Sequence, residues 1–412
     1  MKDTPRGLRT QIGIFGRRNT GKSSLLNAIC KQEVSIVADH PGTTTDPVEK
    51  AMELLPLGPV LFIDTAGVDD VGSVGELRTE KTKKIFNRTD FAIIVAEAGL
   101  WTEYEDELIK TFVARKTPFI AVFNKSDIAA PDNNLTEKLK ERKITFVNVS
   151  AKNGSGIDDL KRLIADLAPE LIRDQSLLNG IIGPGELAVL VVPIDLEAPK
   201  GRLILPQVQT IRELLDNDSY CMVVKERELK HALENLKTPP AIVVTDSQAF
   251  LKVSADVPED IRLTSFSILM ARQKGDLAIF ANGALTVSSL KSGDRILIAE
   301  ACAHHPVGED IGRVKIPRWL TQFTGKKLEF KHIQGHDFPE NPEDFKLIIH
   351  CGACTFNRKN MQSRLNIAGS HSVPITNYGV LIAYLMGILQ RSISPFPEMA
   401  DFIQENKDKF YR

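Results

Sequence analysis

Gly16-Arg17-Arg18-Asn19-Thr20-Gly21-Lys22-Ser23 has the spacing of a phosphate-binding loop, following an apolar run and opening a helical pattern. Glycines there let successive N–H groups converge on an anion, and the helix that starts at Lys22 adds its positive end. Gly16, Arg17, Asn19, Gly21, Lys22, Ser23 and Ser24 are therefore the candidate phosphate contacts. Lys22 is the point charge for the β- and γ-phosphates, and Ser23 is a Mg²⁺ ligand. Asp64 ends the run PVLFIDTA, where a carboxylate can hold Mg²⁺ directly or through water. Gly67, three residues on, lets the backbone approach the γ-phosphate and sense its presence. Asn124-Lys125-Ser126-Asp127 ends another apolar run. A carboxylate at Asp127 can accept the N1–H and 2-amino hydrogens of guanine, which adenine does not offer. Ser150-Ala151-Lys152 ends the next run, where a backbone N–H can reach the guanine O6. The set argues GTP, not ATP.

A second chemistry is concentrated in the last quarter of the chain. Cys302, Cys351 and Cys354 are three of five cysteines, and His304, His305, His332, His336, His350 and His371 are six of eight histidines. Cys302-Ala303-His304 follows RILIAEA, and His350-Cys351-Gly352-Ala353-Cys354 completes FKLIIH. Two such clusters converge if both lie at one edge of a sheet. Three thiolates suit structural zinc of the Cys₃His kind, or an iron–sulfur cluster with one iron left for another ligand. Spacing alone leaves zinc, iron–sulfur and unliganded buried thiols all open. Cys30 and Cys221 read as core thiols, and Trp101 and Trp319 as packing. Arg313, Lys315 and Arg318 form a small basic patch that reads as a solvated face.

The elements that must position these residues follow from hydrophobic patterning. RTQIGIFG, PVLFIDTA, DFAIIVAEA, PFIAVFNK and ITFVNVSA are five buried-strand candidates, with helical patterns between most of them and VEKAMELLPL as an edge strand. Such alternation implies a mostly parallel sheet covered on both faces. The fold class is α/β: a P-loop GTPase domain over 1–173, a small α/β domain over 174–262, and a third α/β domain over 263–412 that carries the candidate Cys/His metal site. The second block shows no catalytic cluster. Its incomplete sheet is expected to pair with another copy of the chain.

Bulk properties narrow the function classes. The chain has 412 residues, 42% of them apolar and 25% charged, which is an ordinary globular mix. Its 52 Lys and Arg nearly balance 53 Asp and Glu, so nothing points to nucleic acid or an anionic membrane as a partner. The amino terminus lacks an apolar leader, and the longest apolar run, Tyr378 to Leu389, is about half a membrane span. Few cysteines and no leader make a reduced, cytoplasmic protein the expectation.

The nucleotide motifs resemble the translation-factor-like class of GTPases. Within it, Pro41-Gly42-Thr43-Thr44-Thr45-Asp46 resembles the first switch of the TrmE-like GTPases. That resemblance implies that Thr44 completes the Mg²⁺ shell and that Asn19 holds K⁺ beside the phosphates. Val68 follows Gly67, so the Ras-type water-orienting glutamine is missing, and K⁺ would supply the missing charge. The order of GTPase segment, short α/β segment and CxH…HCxxC segment resembles the [FeFe]-hydrogenase maturation GTPase family, HydF, over essentially the whole chain. The resemblance implies a [4Fe-4S] cluster held by Cys302, Cys351 and Cys354, with His304, His350 or Asp310 as fourth ligand. It further implies a scaffold, homodimeric on the reading of the second block, that carries a di-iron precursor, with radical-SAM maturases and apo-hydrogenase as partners. γ-Phosphate loss would relax the switch segments 41–46 and 67–80 and change partner affinity. The alternative is a TrmE- or Era-like GTPase in tRNA modification or ribosome assembly, with a structural zinc site.

Overall fold

Parallel strands buried on both faces read as continuous apolar runs, and the first unit, Met1–Asp174, is built on four of them, with a shorter, partly exposed fifth at the edge. The computed structural model describes residues 4–30, 48–65, 80–167, 176–194, 201–301 and 310–410. Thr44, Gly67, Val68, Cys302 and His304 lie outside the described residues. In the first unit the strands are β1 (Thr10–Phe15), β2 (Val48–Leu54), β3 (Gly58–Asp64), β4 (Phe91–Glu97), β5 (Phe119–Asn124) and β6 (Phe146–Asn148). Their order is β2-β3-β1-β4-β5-β6, parallel except for β2, which pairs antiparallel with β3 at the edge as its sequence suggested.

Side-chain alternation along each strand feeds two separate cores. Ile12, Ile14, Phe91 and Ile93 pack with Leu25 and Leu26 of the helix Lys22–Cys30 and with Leu160 and Ile164 of the helix Ile157–Leu167. Phe15, Ile63 and Ile94 pack on the opposite face with Ile85, Phe86, Leu108 and Phe112. There Phe15 stacks on Phe86 at 4.8 Å between ring centroids, and Phe112 meets the two rings at 5.0 and 5.1 Å. Cys30 is packing material, its sulfur 3.8 Å from that of Met52. Trp101 lies against Phe123 at 5.5 Å.

The second unit, Gln175–Arg412, holds two four-stranded sheets, both wholly parallel. The first contains β7 (Leu187–Val191), β8 (Tyr220–Val224), β9 (Ile242–Thr245) and β10 (Arg262–Ser265), in the order β10-β9-β7-β8. The second contains β11 (Arg295–Glu300), β12 (Glu329–Gln334), β13 (Leu347–His350) and β14 (Ile375–Asn377), in the order β12-β11-β13-β14. The expected division at 262/263 runs through β10, which pairs with β9 and leads directly into the helix Phe266–Lys274. One hydrophobic core joins the two sheets: Val189 and Val243 from one belong to the same cluster as Leu297 and Ile348 from the other. The helices Phe266–Lys274, Leu277–Leu285 and Tyr378–Leu385 supply much of what lies between. The apolar run at Tyr378 is thus a buried helix, and no described helix is long and apolar enough to cross a membrane.

Truncating Phe112 to Ala removes the ring that touches both Phe15 and Phe86. It should destabilise the first unit by about 3–5 kcal/mol, measured as a shift of its denaturant midpoint.

Candidate functional sites

The phosphate-binding loop leaves β1 and enters its helix with two glycines whose backbone conformation and close neighbours disfavour any side chain. Gly16 has φ +150°, and a Cβ there would stand 2.2 Å from the Val95 carbonyl oxygen; Gly21 has φ +88°, and its Cβ would stand 2.3 Å from the Asn124 amide. Between them Asn19 is exposed and adopts φ 65°, a left-handed conformation that Asn tolerates. Lys22 is buried, its ammonium donating to the carbonyls of Gly16 and, at 3.1 Å, of Arg17. Ser23 and Ser24 are exposed at the helix start. Ser23 donates its hydroxyl to Asp64 at 2.6 Å, so the two expected Mg²⁺-side groups lie side by side.

Arg17 belongs to the loop by its backbone alone. Its guanidinium turns to Glu105 at 2.7 Å and to the Leu100 carbonyl at 3.0 Å, while its own carbonyl accepts from Lys22 and Thr20. Glu105 is fully buried and also accepts from the backbone and hydroxyl of Thr102, so this pair anchors the loop to the start of the helix Glu103–Ala114.

The base-recognition side is equally prebuilt. Asn124, buried at the end of β5, donates to the Thr20 carbonyl at 2.8 Å and accepts from the Ala151 N–H at 3.1 Å. It therefore ties the phosphate loop to the Ser150-Ala151-Lys152 turn. Lys125 is held by Glu97 at 3.0 Å, and Ser150 donates to the Asp127 carboxylate at 2.6 Å. The Ser150 hydroxyl is the main cause that holds the Asp127 pKa below its ordinary value. An exposed, ionised carboxylate is the acceptor that guanine needs.

The cysteine site sits at the carboxyl ends of the two central strands of the last sheet. β11 and β13 pair through Ala299 and His350, and the ladder continues one residue further with Cys351 N–H donating to the Ala299 carbonyl at 3.0 Å. This brings the Cys351 sulfur to the Ala301 N–H, at 3.1 Å, and to the Ala353 N–H, at 3.4 Å. Ala301 is the residue to which Cys302 is joined. Ala353 adopts φ 52°, a left-handed turn that returns the chain at Cys354. Burial pushes the Cys351 thiol up to about 11, partly opposed by its two N–H bonds. Among the described residues no three His, Cys, Asp or Glu converge as a metal site.

The fourth-ligand candidates differ sharply. His350 is fully buried; its Nε2 faces Arg364 at 2.8 Å and its Nδ1 faces the Cys351 carbonyl at 2.9 Å. Burial and the neighbouring guanidinium push its pKa down to about 3, so the ring is neutral, accepting at Nε2 and donating from Nδ1. In this arrangement neither nitrogen offers a lone pair to a metal. Asp310 is buried and caps the turn Ile311–Lys315, accepting from the Arg313 N–H at 2.8 Å. Lys315 of the expected basic patch is engaged by Gln248.

Sequence reasoning missed two buried cations beside the cysteines. Lys274 donates to the carbonyls of Ala353 at 2.7 Å, Cys354 at 3.2 Å and Phe356 at 2.8 Å. Arg364 lies over Phe356 and Phe338, at 4.5 and 4.9 Å, and also reaches the Gly335 carbonyl. Burial lowers the Lys274 pKa to about 8, opposed by Cys354 and Cys351, and that of Arg364 to about 10, opposed by Cys351 and Asp337. Arg364 could have been noticed, because it falls on the buried stripe Asn360, Met361, Leu365 and Ala368 of its helix. Lys274 carries no such signal.

Comparison with known proteins divides the chain in three. Residues 11–125 match a family described as 50S ribosome-binding GTPase, residues 177–275 the hydrogen maturase F dimerization domain, and residues 278–395 the hydrogen maturase F tetramerization domain. The GTPase Der of Wolinella succinogenes is 35% identical over 194 residues, which cover 44% of this chain and 41% of that protein. The tRNA modification GTPase MnmE of Prochlorococcus marinus is 39% identical over 155 residues, covering 36% and 32%. The chain thus spans less than half the length of these curated relatives. Among solved structures, elongation factor SelB of Methanococcus maripaludis with a GTP analogue aligns at 22% identity and a TM-score of 0.30, over 39% of this chain and 33% of that one. The G domain of the T. maritima FeoB iron transporter aligns at 24% and 0.30, over 39% and 99%.

With its thiol pKa near 11, Cys351 is protonated at neutral pH. Its alkylation by iodoacetamide in the metal-free protein should rise about ten-fold per pH unit from neutrality upward, followed residue by residue by mass spectrometry.

Proposed function

The chain belongs to the hydrogen maturase F family, and from that premise we propose a GTP-hydrolysing, iron–sulfur-binding scaffold that carries a di-iron precursor to apo [FeFe]-hydrogenase. The observation that carries this reading is the 3.1 Å contact from the Ala301 N–H to the Cys351 sulfur. It sets the strand end that continues into Cys302 against the Cys351–Cys354 turn. The donor set fits an iron–sulfur group. Two thiols lie three residues apart, one already accepts two N–H bonds, and two buried cations balance the negative charge that thiolates bring. Cys302, Cys351 and Cys354 would hold a [4Fe-4S] cluster, which supplies an iron whose fourth ligand can be exchanged. His304 and Asp310 are the remaining candidates for that position, since His350 is engaged on both nitrogens. Loading must strip the Cys351 proton, so metal uptake releases acid and is favoured by higher pH.

At the nucleotide site, Lys22 and the loop N–H groups bind the phosphates, Ser23 and Thr44 hold Mg²⁺, and Asp64 supports that ion through Ser23. Gly67 reports the γ-phosphate. Asp127, with Ala151 and Lys152 beside it, reads guanine. K⁺ at Asn19 supplies the charge that a finger residue supplies elsewhere. Loss of the γ-phosphate alters the switch segments and, through them, affinity for the radical-SAM maturases. A second copy of the chain docks along the edge strand β8, where Tyr220 and Val223 are exposed, in a reducing cytoplasm. The RNA-modification alternative loses ground because residues 177–275 and 278–395 both match hydrogen maturase F.

Anaerobic reconstitution followed by iron and sulfide analysis tests the cluster. The protein should be brown and iron-loaded, whereas Cys302→Ser should lose most of its iron and its ability to activate apo-hydrogenase. A colourless zinc protein, or a Cys302→Ser protein that keeps both properties, overturns the reading. GTP turnover should be several-fold faster in KCl than in NaCl; equal rates remove K⁺ from Asn19.

A further inference from the structure

Lys274 is the last residue of the helix Phe266–Lys274, and only 3% of it is exposed. A lysine in a helix's last turn ordinarily reaches solvent or its own terminal carbonyls. This one crosses to another segment and places its ammonium among three carbonyls of the cysteine turn, those of Ala353, Cys354 and Phe356. Three donors meet three acceptors, so the group is saturated. The turn it holds contains a left-handed alanine, Ala353 at φ 52°, a conformation that an L-residue with a Cβ keeps only when its surroundings enforce it. The Ala353 carbonyl also accepts the Phe356 N–H at 3.0 Å, and the Ala353 N–H points at the Cys351 sulfur. The helix bearing Lys274 is fixed at its other end, where Ser265 at the end of β10 caps it. It packs against the helices Leu205–Asp216, Arg358–Ser370 and Tyr378–Leu385.

We propose that Lys274 is a positioning residue for the metal ligands. Its ammonium locks the left-handed turn at Ala353, fixes the separation of the Cys351 and Cys354 sulfurs, and sets a buried positive charge beside the group they bind. The inference rests on the iron–sulfur reading above. It adds that a residue from the segment matching the dimerization domain, 177–275, completes a site in the segment matching the tetramerization domain, 278–395. Geometry and charge make separable contributions. The three hydrogen bonds govern how firmly iron is retained. The charge favours the more negative, reduced state of the bound group and so raises its reduction potential.

The test uses full-length protein reconstituted anaerobically, with an Fe²⁺ chelator as probe. Lys274→Met keeps the apolar stem but no donor. It should release iron about ten-fold faster than the parent chain, with a lower midpoint potential and altered g values in the electron paramagnetic resonance spectrum of the reduced protein. Lys274→Arg keeps the charge, but its planar fork cannot converge on three carbonyls. It should hold the parent potential while releasing iron about three-fold faster. Parent-like release and potential in Lys274→Met overturn the proposal. Should Lys274→Met fail to fold by circular dichroism, Lys274→Arg decides alone, and parent-like release in it overturns the proposal. Parent protein that takes up no iron defeats the iron–sulfur reading instead. The clamp is then read on the thiols of the metal-free chain, where Lys274→Met should make Cys354 react with an aromatic disulfide reagent about ten-fold faster, and an unchanged rate overturns it.

Discussion

The register between β11 and β13 is the constraint on which the cysteine site depends. Parallel strands align their carboxyl ends, and the pairing of Ala299 with His350 makes residues 301 and 351 leave the sheet side by side. A slip of one residue would send Cys351 to the opposite face and take its sulfur away from the Ala301 N–H. Nothing in the turn itself could compensate, because the turn is built on that contact: Cys351 accepts from Ala301 on one side and from Ala353 on the other. Asn377, at the end of β14, adds a third strand to the arrangement by donating to the Cys351 carbonyl at 3.3 Å. The apolar residues of the sheet therefore act on the chemistry indirectly, by allowing a single register to bury them all.

The nucleotide unit obeys the same rule with different groups. β1, β3, β5 and β6 each deliver one motif from their carboxyl ends, and Asn124 links two of them by hydrogen bonds in both directions. Phosphate and base loops are therefore one assembly. Arg17 and Glu105 extend it to the helix Glu103–Ala114 through a bond whose carboxylate is wholly buried. Breaking such a pair from one side strands a charge without water, which is far more disruptive than losing an exposed ion pair.

Much of this was legible in the sequence, for a physical reason. Strands buried on both faces must be apolar throughout, so PVLFIDTA or PFIAVFNK announces itself, and the polar residue that ends the run marks the loop. β10 was not legible as part of the second sheet. Its four residues, RLTS, contain one strongly apolar side chain, and Thr264 and Ser265 are buried through hydrogen bonds instead of through hydrophobicity. His350 was misleading in another way. Its neighbours in sequence are ligand types, yet the ring points into the packing among Phe356 and Arg364. Arg17 sits inside a phosphate motif while its side chain serves Glu105. Adjacency in sequence identifies a loop but not the direction of a side chain within it. Lys274 illustrates the reverse case, since a lone lysine far along the chain has no spacing that marks it as a partner of the cysteines.

β8 closes one side of its sheet with Tyr220 and Val223 half open to water, and Leu215 of the preceding helix is exposed as well. With a second copy docked there as proposed, mass action becomes part of the fold's thermodynamics. Melting temperatures of this chain and its variants should drift upward as the preparation is concentrated, and comparisons between substitutions are meaningful only at matched molarity. Affinity tags and fluorophores belong away from this border, since crowding it would be mistaken for an intrinsic loss of stability.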